Sequence, residues 1–394
     1  MRVVILGAGI AGLSTAAALR RVGIESEIWE RASELRPAGT GIGIANNATT
    51  ALRHLDIDFG LGSTRGAQVR QMRILSPRGR TLLETPVAAI QREVGTPAVT
   101  VHRADLQEGL LEAVGDTPIR LGARATGYRA AGDGTGVQVD FADGRVATGD
   151  LLIAADGINS VVRSRLHGGA GRIRYGGFVA WLATVDYRDP LITPGWNAQF
   201  WGRGRRFGLH DIGQGRVYWW GTMTMDEARA NAWDGDKDEI ARAFRGWAPV
   251  IPELIDITPF ERIISVPARD RPFDERWGEG PVTLIGDAAH PMLTSLSQGG
   301  STAIEEAVVL ARVLEHATDP VRGLRAWEVM RRERTRMMVD VSYRMRTFEQ
   351  MDNGFQVMLR SLMLRFGSNR RVEDLFREAM IMPPLPASPG ERTV

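Results

Sequence analysis

The stretch VVILGAGIAGLSTAAALRRVGIESEIWERA, residues 3–32, constrains the fold more than any other part of the chain. Its first four residues are apolar enough for a buried strand, and GAGIAG then supplies a tight turn. Residues 10–22 pattern as a helix that stops at Gly23, and residues 25–29 read as a second strand. In such a strand–turn–helix each glycine has its own task. Gly7 permits the turn, Gly9 lets backbone N–H groups approach a pyrophosphate, and Gly12 lets helix and strand pack closely. The helix start adds free N–H groups and the positive end of the peptide dipole. Glu30 closes the second strand, where a carboxylate accepts hydrogen bonds from a ribose, and Arg31 stands beside it. The pattern predicts a Rossmann-like dinucleotide site and leaves FAD, NAD and NADP open.

Length and charge bound the function classes. A chain of 394 residues has room for two or three domains and a large core. The net charge of +2 argues against a general nucleic-acid binder. Lys237 is the single lysine, in the charged stretch WDGDKDEIARAF, so a lysine base or Schiff base has one poor candidate. With no cysteine there is no disulfide, iron–sulfur cluster, thiolate catalysis or cysteinyl-flavin link. The chain enters a strand at once, so no signal peptide is expected. No run of apolar residues is long enough to span a membrane, and a cytoplasmic protein is the expectation.

The apolar patterning changes twice along the sequence. VRQMRILSPRGRTLLETP reads as a hairpin around Pro77-Arg78-Gly79, and HRADLQEGLLEAVG as an amphipathic helix ended by Gly115. From Gly176 to about Pro267 short alternating strands carry most of the tryptophans, which suggests an antiparallel sheet. An apolar strand, PVTLIG, then returns ahead of a long helix, and residues 324–378 are helical and Arg- and Met-rich. The predicted class is α/β, with a discontinuous nucleotide domain over 1–68, 95–170 and 268–323. Residues 69–94 and 171–267 form a substrate-binding sheet domain, 324–382 the C-terminal helices, and 383–394 a disordered tail. The basic run RRERTRMMVDVSYRMR is read as a solvated helix face packed on the nucleotide domain.

Two later motifs narrow the cofactor. DLLIAADGINSVVR, residues 150–163, is a strand running into Asp156-Gly157 and a helix; alone, Asp156 is a turn residue or a helix cap. TLIGDAAHPMLTSLSQGGSTAIEEA, residues 283–307, repeats the design, with Asp287 at a strand end and a helix starting near Gly300. An acid there accepts hydrogen bonds from a polyol, and the Gly299-Gly300 backbone donates to a carbonyl. With the first fingerprint these match three ordered motifs of one family. The chain resembles the flavoprotein aromatic hydroxylases, single-component FAD monooxygenases of the para-hydroxybenzoate hydroxylase type, over nearly its whole length.

The resemblance implies that Glu30 binds the adenosine ribose, Arg103 the pyrophosphate side and Asp287 the ribityl chain, with the Gly299-Gly300 N–H groups on the flavin pyrimidine edge. It ties the motif at Asp156-Gly157 to FAD and to NAD(P)H, which docks transiently without a second fingerprint. His290 is a loop-structuring residue rather than a base. The implied chemistry is reduction by NAD(P)H, reaction with O2 to a flavin C4a-hydroperoxide, and hydroxylation of an aromatic or heteroaromatic small molecule. Thr294 and Ser297 depart from the family, which has a proline and a glycine at these two positions.

The substrate is expected between the flavin and the sheet. In RRFGLHDIGQGRVYWW a three-residue turn puts Arg206 and His210 on one face with Tyr218 and Trp220, whereas a two-residue turn splits them. Arg206 and Tyr218 match an active-site arginine and tyrosine of the family's urate-hydroxylase branch. Candidate catalytic residues are thus Arg206, Tyr218, His210 and Pro291, with no metal, and the partner is a flat apolar or aromatic molecule. The protein is expected as a monomer or homodimer. Two other readings stay open: epoxidation of an alkene, as in the zeaxanthin-epoxidase-like branch, and an FAD-binding partner protein without oxygenase activity.

Overall fold

The computed structural model describes residues 1–35, 39–59, 65–130, 136–188, 192, 194–367 and 370–386. Its first sheet has six strands, in spatial order Gly278–Glu279, Val282–Leu284, Leu151–Ala154, Arg2–Leu6, Glu25–Trp29 and Ile119–Arg120. All neighbours are parallel except the edge pair Gly278–Glu279 and Val282–Leu284. The central strands are near-continuous apolar runs, and Val3 to Leu6 and Leu151 to Ala154 are almost completely buried. That is the signature of a parallel sheet covered on both faces. Helix Ile10–Arg21 packs on it beside Arg103–Val114 and Gly299–His316.

This topology gathers the motifs. Gly7, Glu30, Asp156 and Asp287 each follow the last residue, or nearly so, of a parallel strand. They therefore share one edge of the sheet, the carboxyl edge, where open α/β sheets bind ligands.

The second sheet has seven strands, in order Ile264–Asp270, Arg174–Asp186, Arg216–Thr224, Arg205–Asp211, Trp196–Trp201, Gln71–Leu75 and Thr81–Thr85. Here the expectation of an antiparallel sheet needs one correction. Trp196–Trp201 pairs with Gln71–Leu75 in parallel, because the hairpin at residues 71–85 joins the sheet edge from a distant part of the chain. One face buries Trp181, Phe207, Leu209 and Trp219 against helices Lys237–Ala243 and Val250–Ile257. Alternation sends Arg206, Gly208, His210, Tyr218, Trp220 and Thr222 to the other face.

The turn between Arg205–Asp211 and Arg216–Thr224 fixes that arrangement. Ile212 N–H bonds the Arg216 carbonyl at 3.2 Å, leaving Gly213, Gln214 and Gly215 as a three-residue loop. All three have positive φ, at 79°, 59° and 73°, so glycine at both ends makes this odd-length turn accessible.

Helix Pro320–Glu349 is capped by Asp319 and packs on Gly299–His316. Its basic run packs on the nucleotide domain as expected, with Arg336 and Arg344 exposed, but it is only partly solvated. Arg331 and Arg334 both pair with buried Glu305 at 2.6 and 2.9 Å, because Met338 and Val339 turn this side of the helix inward. Helices Gly354–Phe366 and Arg370–Met380 follow. The start of the expected tail is docked, with Leu385 against the main core, and residues 387–394 lie outside the described ones. Among the described residues no helix is long and apolar enough to cross a membrane.

Ser297 has φ 53°, a left-handed conformation that favours glycine. Such a residue costs about 1–2 kcal/mol, against about 0.5–1 kcal/mol for the extra chain entropy of glycine. Ser297→Gly is therefore expected to raise unfolding free energy by about 0.5–1 kcal/mol in urea titrations. A loss of stability would mean that the serine makes a compensating contact.

Candidate active site

The three glycines of the first turn are distinguished by what a β-carbon would meet. At Gly7, φ 99°, it would lie 2.5 Å from the Ala155 carbonyl oxygen, and at Gly12 only 1.9 Å from that of Gly7. Gly9 is different: nothing among the described residues lies within 4 Å. Its φ of −76° suits any residue, so neither packing nor backbone strain asks for glycine there. The helix that follows has no side-chain cap, and Leu13 is the first residue whose N–H bonds back, to Gly9, at 2.9 Å. The preceding N–H groups face outward, as an anion requires. Glu30 is held against this turn by accepting from the Ala8 and Ala32 N–H groups at 2.7 and 2.8 Å. A carboxylate has lone pairs beyond those two for a further donor. Arg31, next along the chain, is exposed.

Asp287 sits in the short turn Gly286–Ala288 after strand Val282–Leu284. It lies deep among protein atoms yet keeps much of its surface accessible, so it lines an internal cleft. Burial pushes its carboxyl up, while His290 and Arg103 pull it down. No hydrogen bond from a described residue reaches it. Helix Gly299–His316 also starts without a side-chain cap, and a β-carbon on Gly299 would stand 3.9 Å from Asp287 Oδ1. A β-carbon on Gly300 would lie 3.4 Å from Ile42 and 3.6 Å from Ile10, so two helix starts converge on one cleft. Arg103 opens helix Arg103–Val114 and packs its stem on Gly39.

The second motif braces this cleft. Asp156 Oδ2 accepts from Val161 N–H at 2.9 Å, while its Oδ1 is buried without a partner, and burial raises the carboxyl. Asp156 is thus a cap with one oxygen to spare. Gly157 has φ 80°, and Ser160 caps the helix by accepting from Arg163 N–H at 2.9 Å. The Arg163 guanidinium donates to the Ala289 carbonyl at 2.8 Å and so fastens the loop after Asp287. In that loop His290 is 1% exposed, with Nε2 at 2.8 Å from Glu306. Pro291 is buried as well, and its carbonyl accepts from Arg271 N–H. Neither ring is open to a ligand, and for Pro291 this replaces the expected catalytic position by a structural one.

On the free face of the second sheet four side chains form a stacked wall. The Tyr218 ring lies against Gly41, where a β-carbon would come within 2.3 Å, and its hydroxyl lies beside Thr40. Burial pushes that phenol above its ordinary value. His210 stacks on Tyr218 at 5.7 Å and on Trp220 at 6.2 Å. Its Nε2 accepts from the Trp220 indole N–H at 2.9 Å, and burial pushes the imidazole down to about 4. The Trp220 ring lies over Gly208, where a β-carbon would come within 2.0 Å. Arg206 completes the wall, its guanidinium 5.2 Å from the Trp220 centroid.

Arg206 and Tyr218 therefore share a face but stand at opposite ends of the wall. Arg206 is also not free: its Nη1 pairs with Glu349 at 2.9 Å, and both residues are buried. Glu349, Arg360 and Thr40 border this wall and have no sequence motif of their own, while Ser295 lies inside the motif at residues 283–307. Alternation along residues 205–224 and the match of Arg206 and Tyr218 to the urate-hydroxylase pair marked the wall itself.

An accessible carboxylate with no hydrogen bond from a described residue, two helix starts without side-chain caps and an otherwise needless glycine fit the pyrophosphate and polyol of a dinucleotide. The FAD binding domain family matches residues 1–342. The chain is 38% identical over 385 residues to the aurachin C monooxygenase/isomerase of Stigmatella aurantiaca, covering 98% of this chain and 99% of that one. It is 34% identical over 359 residues to an FAD-dependent urate hydroxylase of Klebsiella pneumoniae, covering 86% and 88%. The structure of Klebsiella pneumoniae HpxO complexed with FAD and uric acid matches with a TM-score of 0.88 at 29% identity, over 98% of this chain and 97% of that one. The chain belongs to the FAD-dependent aromatic hydroxylase family.

Proposed function

We propose that this protein is an NAD(P)H- and O2-dependent FAD monooxygenase that hydroxylates a flat aromatic or heteroaromatic small molecule. The reading rests above all on Asp287, an accessible carboxylate beside Gly299 with no hydrogen-bond donor from the described residues. Bound FAD supplies hydride acceptance and dioxygen activation. The protein's own residues bind, orient and exclude water.

Glu30 accepts from the adenosine ribose, and the start of helix Ile10–Arg21 together with Arg103 faces the pyrophosphate. Asp287 accepts from the ribityl chain, and the Gly299 and Gly300 N–H groups donate to the pyrimidine edge. The wall from Tyr218 to Arg206 forms the substrate's side of the pocket. His210 is neutral near pH 7 and its Nε2 is already taken by Trp220, so it serves as a stacking surface rather than a base. Tyr218 stays protonated and stands beside Thr40 at its end of the wall. Arg206 receives a phenolate, enolate or carboxylate on the substrate; a guanidinium offers parallel N–H bonds to such a group. The relatives named for urate and for 3-amino-4-hydroxybenzoate act on flat rings with polar substituents, which supports the same class here.

Arg206→Leu tests the substrate half. It is expected to raise KM, or to uncouple NAD(P)H oxidation from product, with FAD content unchanged. Product formed under 18O2 should carry one labelled oxygen. Coupled turnover with an unaltered KM in Arg206→Leu would remove Arg206 from the pocket.

A further inference from the structure

The Arg206 end of the wall meets two other parts of the chain at a single carboxylate. Glu349 ends helix Pro320–Glu349 and is 1% exposed. Its Oε1 is 2.9 Å from Arg206 Nη1, and its Oε2 accepts from the Ser295 hydroxyl at 2.8 Å. Ser295 lies in the turn Thr294–Leu296, on the loop that leads to Gly299 and Gly300. The next residue, Gln350, donates to Thr222, the cross-strand neighbour of Arg206, at 2.7 Å. Sheet, loop and helix end are thus joined at the place where a substrate anion would sit.

The charges around this point do not balance. Arg360 is a second buried guanidinium, 2% exposed, that donates to the Phe348, Glu349 and Gly202 carbonyls at 2.8–2.9 Å. Carbonyl dipoles at a helix end offset part of its charge. Two guanidiniums and one carboxylate leave the cluster one negative charge short. Arg206 also uses only Nη1 on Glu349, and its buried Nε–H has no partner among the described residues. A buried guanidinium with an unused donor is a site for an acceptor.

We propose that Glu349 is a positioning residue that sets the charge preference of the substrate pocket, holding Arg206 in place by one bond while offsetting its charge. This rests on the reading of the wall as the substrate's side. With Glu349 present, an anion gains from one guanidinium that is already half-satisfied, so its advantage over a neutral ring is held down. With its charge removed, Arg206 and Arg360 together favour the anion, and the neutral ring gains nothing. A purely structural role would weaken both ligands alike.

The experiment compares quinoline with quinoline-2-carboxylate on the purified flavoprotein, read by quenching of the tryptophan fluorescence to which Trp201 and Trp220 beside Arg206 contribute. Glu349→Gln is expected to shift the Kd ratio toward the carboxylate by at least about tenfold, and Glu349→Asp to keep the wild-type ratio. The carboxylate should also raise the melting temperature of Glu349→Gln more than that of the wild type, a readout that survives poor yield of the variant. An unmoved ratio, or no saturable carboxylate quench in Glu349→Gln, overturns the assignment. Arg206→Leu separates the two levels of the argument. Carboxylate binding that persists in Arg206→Leu refutes the pocket itself; binding lost there but unchanged in Glu349→Gln refutes only the role of Glu349.

Discussion

Gly9→Ala is expected to lose FAD while leaving the apoprotein fold intact. The added methyl meets no atom of the described residues, and the backbone conformation suits alanine. The variant apoprotein should even gain about 0.4–1 kcal/mol from a stiffer unfolded chain. The cost falls on the ligand, because the methyl occupies the approach to the uncapped helix start. FAD retention should drop by at least about tenfold, equivalent to about 1.4 kcal/mol. Gly12→Ala is the contrast. Its β-carbon would stand 1.9 Å from the Gly7 carbonyl oxygen, so the turn itself must shift and both stability and FAD binding should fail. Flavin content after purification and thermal unfolding of the apoprotein separate the two. If Gly9→Ala keeps its FAD, the pyrophosphate does not pass that glycine.

Asp287→Ala is expected to weaken FAD binding by about ten- to a hundredfold, from loss of a hydrogen bond to a charged group worth about 1.5–3 kcal/mol. With no hydrogen bond from a described residue to Asp287, its removal strands no described donor and relieves an acid that burial already disfavours. The apoprotein should be as stable as wild type, or more so. Equilibrium titration of FAD into apoprotein measures the effect. Affinity equal to wild type would mean that the carboxylate faces something other than the ribityl chain.

The placement of the candidate cofactor residues at one sheet edge was legible in the sequence because they are local to their strands and turns. Gly7, Gly9 and Gly12 act within one turn, and Asp156 and Asp287 each sit just past an apolar strand, so spacing alone places them at the carboxyl edge. The wall was legible up to one parity choice. GQG between the two strands allowed either facing, and three positive φ values in a row decided it. Glu349 was not legible. It lies at the end of a helix whose sequence looks like a surface face, and it meets Arg206 only because that helix crosses the molecule to the sheet. The same long-range packing turned Arg331 and Arg334 from expected solvated groups into partners of Glu305. The tail at Leu385 was missed for a related reason, since a Pro-rich segment carries no periodicity to mark the core it touches.

If this cleft holds FAD, Glu30 and the first helix take the adenosine half and Asp287 the ribityl half. The most direct measurement is chromatography of the nucleotide released when purified, yellow protein is denatured, set against protein concentration. FAD is expected at one equivalent per chain, with lowered retention in Glu30→Ala. Release of FMN instead, or a colourless protein that added FAD does not reconstitute, would contradict it.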